Sequence, residues 1–152
     1  MRRFHFPLER VRQWRDGQAA LEELKLEQLL QNVAALERAK QSIETERAES
    51  ERQLLSRKTI EAAELQNLDS YQLHSRDKIR DIENRKRQAS VEVDQQRQRV
   101  IGARRDAELL ERLKQKAREA WQAASDREEE ALVAELYLAR RTRHRPRGFS
   151  GT

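Results

Sequence analysis

The side chains that most often carry out metal or nucleophilic chemistry are few in this sequence and far apart. The three histidines are His5, His74 and His144, and there is no cysteine. A zinc site needs several such ligands, usually with two of them closely spaced. The sequence also lacks a glycine-rich phosphate loop and a serine in a nucleophile elbow. We therefore predict no catalytic residue, no metal ligand and no cofactor, and expect that the protein is not an enzyme.

A cluster of arginines near the C-terminus could bind an acidic partner. Residues 140–147 read RRTRHRPR. Such a cluster can bind nucleic acid or acidic protein, but arginines at the end of a helix also stabilise the helix dipole. No aromatic residue interleaves with the arginines, as stacking on bases would require. The pattern favours helix stabilisation, and Pro146 and Gly148 predict a flexible basic tail over residues 142–152.

The elements that carry these residues follow from an apolar repeat that extends from Leu65 to Leu138 without a proline. Apolar residues recur at heptad positions a and d, which is typical of a coiled coil. The members of this series are Leu65, Leu68, Ile79, Ile82, Ala89, Val93, Val100, Ala103, Ala107, Leu110, Ala117, Trp121, Ala124, Ala131 and Leu138.

The composition agrees with long helices that share a narrow apolar seam. Of 152 residues, 39% are charged and 36% are hydrophobic, with only 4 Gly and 2 Pro. That balance cannot build a thick globular core, and so few turn formers argue against sheets. The fold class predicted is all-α, with two long helices that form an antiparallel coiled-coil hairpin. The net charge of +5 is compatible with acidic partners, and no apolar run is long enough to span a membrane.

The position of the reversal is open between three alternatives. We favour a turn at about 57–60, with helix 1 over about 7–56, helix 2 over about 60–141, and Thr59 as the N-cap of helix 2. The second alternative is a turn at residues 67–70, where Asn-Leu-Asp-Ser offers turn-forming side chains. The third is one uninterrupted helix that dimerises to bury its seam.

A turn near residue 58 would leave part of helix 2 without a partner helix. Residue 8 would lie opposite a residue near 108, so about 30 residues of helix 2 would extend beyond helix 1. This extension contains Trp121, Leu132 and Leu136, and exposed apolar side chains of this kind are typical of a binding surface. Trp121 fits the seam register and is expected to pack in the core, or to anchor a partner if it lies on the extension. Trp14 is off the register and could face a partner.

The opening residues suggest a family. Residues 4–11, Phe-His-Phe-Pro-Leu-Glu-Arg-Val, resemble the F-x-F-x-L-E-R-V start of the flagellar export protein FliJ family. Residues 59–65, followed by Tyr71, resemble the start of that family's second helix. Residues 109–118 and 131–138 are similar to its C-terminal region, although Ala134-Glu135 stands where an Asp-Glu pair is common.

The resemblance implies a cytoplasmic protein of the type III export apparatus, peripherally associated with the inner membrane through its partners. Members of the family are antiparallel helical hairpins that associate with the hexameric flagellar export ATPase and promote its assembly and activity. They also engage the export gate protein FlhA and interact with export chaperones. Related stalk proteins serve virulence type III secretion, and the Phe-x-Phe opening favours the flagellar branch.

Register and the family resemblance together predict two contact surfaces. The candidates for contact with the ATPase are Trp14, Trp121, Leu132, Leu136, Arg140 and Arg141. The candidates for contact with the gate are Tyr71, Leu73, His74 and Ile79.

Two other functions are compatible with the sequence. One is a self-associating structural coiled coil that has no ATPase partner. The other is a basic coiled coil that binds nucleic acid, which we rank last because the charges are spread along both helices and do not form a stripe.

Overall fold

Two long helices account for nearly all of the residues that the structure describes, 3–144. In this computed structural model α1 spans Glu9–Leu55 and α2 spans Ala62–Arg143. The described residues contain no strand. The predicted fold class, all-α with two long helices paired as a hairpin, is confirmed. The helix bounds lie within two residues of those predicted, and residues 145–152 of the predicted tail lie outside the described part.

The chain reverses at the first of the three predicted positions. Residues 56–61 connect the helices, whereas residues 67–70 lie inside α2. The prediction that Thr59 caps α2 is wrong, because the first helical hydrogen bond runs from the Leu65 amide to the Glu61 carbonyl at 3.2 Å. Arg57 and Glu64 form an ion pair of 3.1 Å on either side of the connection.

A proline turn starts α1. The Glu9 amide donates a hydrogen bond to the Phe6 carbonyl at 3.2 Å, which closes a turn around Pro7 and Leu8. Proline suits this position because its ring fixes φ and its missing N–H is not needed there. The Arg12 amide then donates to the Leu8 carbonyl at 2.8 Å, so the helix continues from Glu9.

The described residues divide into two compact units, and the reversal lies in one of them. This reversal unit is Asp16–Arg105; the other, the terminal unit, contains the residues up to Arg15 and those from Asp106 onward. In the reversal unit the helices run antiparallel, since residues later in α1 pair with residues earlier in α2. The cross-helix pairs that establish this are Glu22–Gln96, Glu37–Lys86 and Lys40–Glu83.

The seam of α1 keeps a strict heptad spacing and contains charged as well as apolar residues. From Arg12 to Leu54, each seam position is at least half-buried. Five of these positions carry a charged side chain: Arg12, Arg15, Glu22, Lys40 and Arg47. The large apolar residues at these positions, from Leu26 to Leu54, are half-buried, whereas Leu8, which precedes them, is 43% exposed. A narrow seam permits this because long side chains bury their stems and keep their charged ends at the edge.

Polar side chains at the seam of the reversal unit pair across the two helices. Gln96 is 3% exposed, and its side-chain amide donates to the backbone carbonyl of Glu22 at 3.0 Å and to the Glu22 carboxylate. Lys86 bonds Glu37 at 2.5 Å, which lowers the pKa of that carboxyl. Lys40 bonds Glu83 at 3.3 Å, which raises the pKa of Lys40. Such pairs favour one register of the helices, because a shift would leave the buried Gln96 amide and these partly exposed charges without their partners.

Two glycines lie inside helices without a structural need for glycine. A Cβ built on Gly17 or Gly102 meets nothing within 4 Å, and neither residue has a positive φ.

We expect Gly102→Ala to raise the free energy of unfolding by about 1 kcal/mol, because alanine loses less backbone entropy in a helix. Urea denaturation measures the change. The reciprocal control, Ala35→Gly at an exposed helical position, should cost a similar amount, and an unchanged midpoint for Gly102→Ala would contradict the prediction.

Candidate functional site

The N-terminal segment packs on α2 in the terminal unit. Phe6 is 7% exposed, and the ring of Phe4 lies 5.9 Å from that of Trp121, centroid to centroid, with an interplanar angle of 56°. This tilted geometry is one of the preferred arrangements of aromatic pairs. Trp121 is half-buried and belongs to the seam. The alternative role of Trp121, anchoring a partner, is therefore the weaker one, since its ring already has an intrachain contact.

A cluster of charges holds the start of α1 against α2. Glu9 bonds Arg12 at 2.6 Å and Lys114 at 3.0 Å, and Arg12 also reaches Glu111 at 3.2 Å. The guanidinium of Arg12, followed by the ammonium of Lys114, lowers the pKa of the Glu9 carboxyl to about 2. Arg15 pairs with Asp106 at 3.2 Å. These pairs set the register of the terminal unit, in which residue 9 lies beside residue 114.

The seam changes its spacing after Trp121. The predicted member Ala124 is exposed, and Ser125, at 9% exposure, takes its place. Successive steps of four residues replace the alternation of three and four, which is the pattern of a coiled-coil stutter. The predictions that Ala131 and Leu138 belong to the seam are also wrong, since both are exposed.

Beyond Ser125, α2 has no covering segment among the described residues. Every residue from 126 to 143, here called the extension, is exposed. At 1.5 Å per residue the extension is about 27 Å long. It is shorter than the predicted overhang, whose roughly 30 residues would span about 45 Å. The difference arises because residues 3–8 cover α2 beyond the point where α1 begins. Large apolar side chains of the extension are 58–65% exposed: Leu132, Val133, Leu136, Tyr137 and Leu138.

Two of these apolar residues lie on one face of the extension, with charged residues at the two ends of that face, and two more flank it. At 100° per residue, a heptad spacing of three and four selects the line that we call the extension face. Its members are Asp126, Glu129, Val133, Leu136, Arg140 and Arg143. Leu132 and Tyr137 flank it, whereas Leu138 lies on the opposite side. A shallow surface hollow on this side is lined by Asp126, Glu129, Glu130, Val133, Ala134 and Tyr137.

The predicted ATPase-contact residues do not form one patch. Leu132, Leu136 and Arg140 lie on or beside the extension face and are exposed, whereas Arg141 is exposed about 100° away from Arg140. Trp14 lies on α1, 56% exposed, with the Arg15 guanidinium 4.9 Å from its ring in a cation–π contact. The extension face is thus the part of the prediction that the fold assembles.

The predicted gate-contact residues lie on different sides of α2. Tyr71 and Ile79 are half-buried toward the seam, next to the buried Ser75. Leu73, 53% exposed, points about 160° away from Tyr71 around the helix. His74 is exposed. Since these side chains do not converge, only Leu73 and His74 are accessible to a partner from this group.

Sequence reasoning missed several residues that build the site. Phe4 and Phe6 close the end of the helix pair, and Ser125 continues the seam; none was assigned a structural role from the sequence. The signal for the first two was present, because a Phe-x-Phe pair directly before a proline turn is rare in a chain with 5% aromatic residues. Ser125 gave no such signal, because a serine outside the heptad register is ordinarily solvent-exposed.

No group of three or more His, Cys, Asp or Glu side chains in residues 3–144 could hold a metal ion. Neither helix, over its described length, has a stretch that is apolar enough to cross a membrane. No protein-family model, curated protein or solved structure matches this chain.

Proposed function

We propose that this protein is a non-catalytic coiled-coil component of the flagellar type III export apparatus. In this role it binds the hexameric export ATPase and promotes assembly and activity of the ring, links the ring to the export gate protein FlhA, and escorts export chaperones. It is cytoplasmic and reaches the inner membrane only through these partners. The proposal combines the FliJ-like opening residues with the helical pair that those residues close.

The observation that carries the proposal is the position of the opening motif. The Phe4 ring lies against Trp121 and Glu9 bonds Lys114, both of α2, and Phe6 between them in the sequence is 7% exposed. They determine where the cover on α2 ends and where the extension begins. A motif used in this way preserves a free helical end of defined length, which is what a protein that enters a ring needs.

The chemistry of the extension suits a contact with a protein ring. Leu132 and Leu136 present apolar area of 60–62% exposure, and Arg140 adds a charged group at the distal end. Aliphatic area can fill pockets on a partner, and arginine is frequent among residues that dominate binding energy. Because one narrow helix can touch several subunits at once, binding would favour the assembled ring over free subunits.

The test is ATP hydrolysis by the hexameric export ATPase, with and without stoichiometric amounts of this protein. We expect a clear increase in turnover with the wild type. Leu136→Asp should raise the concentration needed for half-maximal stimulation at least tenfold, because a carboxylate buried in the contact without a partner weakens binding. Leu138→Asp is the matched control, since Leu138 is equally exposed on the other side of the helix, and it should stimulate like the wild type.

Two results would contradict the proposed function. The first is an unchanged rate of hydrolysis together with no co-elution of the two proteins. The second is equal loss of stimulation in the Leu136→Asp and Leu138→Asp variants, which would show that the extension face is not the contact. Truncation after Ala124 removes the whole extension and should abolish stimulation.

A further inference from the structure

The extension face is complementary to itself when a second copy is turned end to end. We propose that two copies of this chain bind each other through antiparallel pairing of their extensions, residues 126–143. The inference does not rest on the proposed export function, because the occupant of the face is another molecule of this protein.

The centre of the pairing is apolar. In an antiparallel pair the a position of one helix lies opposite the d position of the other, so Val133 faces Leu136 of the second copy. The same symmetry places Leu136 opposite Val133 of that copy. Leu132 and Tyr137 flank these residues, and all four side chains are 60–65% exposed in the single chain. Pairing removes this area from water, at a gain of roughly 25 cal/mol per Å².

The ends of the pairing carry opposite charges in the same register. The alignment that sets Val133 against Leu136 also sets Glu129 against Arg140, and Asp126 against Arg143. Each of these pairs occurs twice by symmetry. In the part of the chain that the structure describes, no Asp, Glu or Arg of residues 126–143 takes part in an ion pair, and the cross-helix pairs end at Lys114. Asp126 accepts a hydrogen bond from the Gln122 side-chain amide at 2.9 Å, which leaves its charge unneutralised. These charges are thus available to a second copy.

The charges also determine the direction of pairing. Acidic residues occupy the proximal end of the face and arginines its distal end. A parallel arrangement would place Glu129 against Glu129 and Arg140 against Arg140, where like charges repel. An antiparallel arrangement converts all of these contacts into attractive ones, so the face selects both its partner and its orientation.

The protein already uses this kind of interface between its own helices. The intrachain seam combines apolar layers with carboxylate–ammonium pairs across the helices, such as Lys40–Glu83 and Glu37–Lys86. The extension begins directly after Ser125, the last buried residue of α2 among the described residues. A second copy therefore continues the same mode of pairing where the cover from the first chain ends.

The symmetry of this contact closes after two copies. Each chain has one extension, and the same patch is used by both, as in an isologous interface. The pairing therefore predicts a dimer and not a filament. It also occupies Leu136 and Arg140, so a dimer and a contact of the extension with an ATPase ring exclude each other on the same chain.

Sedimentation of the full chain alone, over about a hundredfold range of concentration, tests the proposal. We expect the wild type to shift from monomer to dimer, and the shift to weaken as salt is added. Glu129→Arg and Arg140→Glu should each weaken the dimer about tenfold or more, because each replaces two attractive pairs by two repulsive ones.

Charge exchange supplies the decisive controls. The double variant that combines Glu129→Arg with Arg140→Glu should regain the dimer, and so should a mixture of the two single variants. Failure of both to recover, or a wild type that stays monomeric at every concentration, would overturn the proposal. Because no ATPase is present, this outcome is independent of the stimulation assay.

The absence of cysteine from the sequence permits a clean test of register. Val133→Cys and Leu136→Cys chains, mixed under mild oxidation, should form the mixed disulfide in preference to either homodimer, because these positions face each other only in the antiparallel alignment. A preference for disulfides between identical positions would overturn the antiparallel register.

Discussion

Val100→Asp is expected to lower the free energy of unfolding by about 4 kcal/mol. Val100 is 3% exposed, among the least exposed apolar residues of the seam. The substitution removes the apolar contacts of the valine and buries a carboxylate among apolar side chains. Since domains of this size are stable by only about 5–15 kcal/mol, a loss of this size affects the whole reversal unit. Urea denaturation followed by far-UV circular dichroism measures the change.

The adjacent residue provides a matched control. Ile101 is 48% exposed on the outer side of the same helix turn. Ile101→Asp introduces the same charge into the same helix, and it should cost only about 0.5 kcal/mol, through the lower helix propensity of aspartate. Equal losses in the two variants would show that the seam is not where the exposure of these side chains places it.

Phe6→Ala is expected to weaken the docking of the N-terminal segment by about 3 kcal/mol. Phe6 is the most buried apolar residue of this segment, and it lies next to the proline turn that starts α1. Its loss leaves a cavity beneath a short segment that has few other apolar contacts. The ring of Trp121, which Phe4 covers from the same segment, should then become accessible to water.

Fluorescence of Trp121 reports this change directly. The sequence contains only two tryptophans, and Trp14→Phe at an exposed position leaves Trp121 as the single emitter. In that background Phe6→Ala should shift the emission to longer wavelength and increase quenching by acrylamide. Leu8→Ala, at a residue that is 43% exposed, is the control and should change neither quantity. Unaltered emission after Phe6→Ala would exclude a structural role for Phe6 in covering Trp121.

The paired-helix architecture follows from the sequence because its signal is repeated many times. Each apolar seam residue from Leu68 to Trp121 reports the same face, so the loss of any one, such as the polar Gln96, does not obscure the period. The connection was also predictable within about two residues, since Ser56 and Arg57 interrupt the apolar pattern. Its cap was not, because Thr59 and Glu61 are both plausible N-terminal residues and only the backbone geometry distinguishes them.

The candidate surface was predictable in part. Leu132 and Leu136 stand out as apolar residues beyond the expected end of α1. Their alignment with Arg140 follows from the period of α2 alone. The step from Trp121 to Ser125, in contrast, departs from the predicted heptad register by one residue. The position of this change cannot be predicted from a periodic pattern. The sequence therefore placed Ala131 and Leu138 in the seam, although both are exposed.

The sequence by itself determined two helices, their reversal and the apolar face that joins them, because these depend on local periodicity summed over many residues. Only the tertiary structure decided where the cover on α2 ends. That end depends on a few non-local contacts, Phe4 with Trp121 and Glu9 with Lys114, which join residues more than a hundred positions apart in the sequence. No periodic signal encodes such pairs, since each is formed once, between residues that are far apart in the sequence.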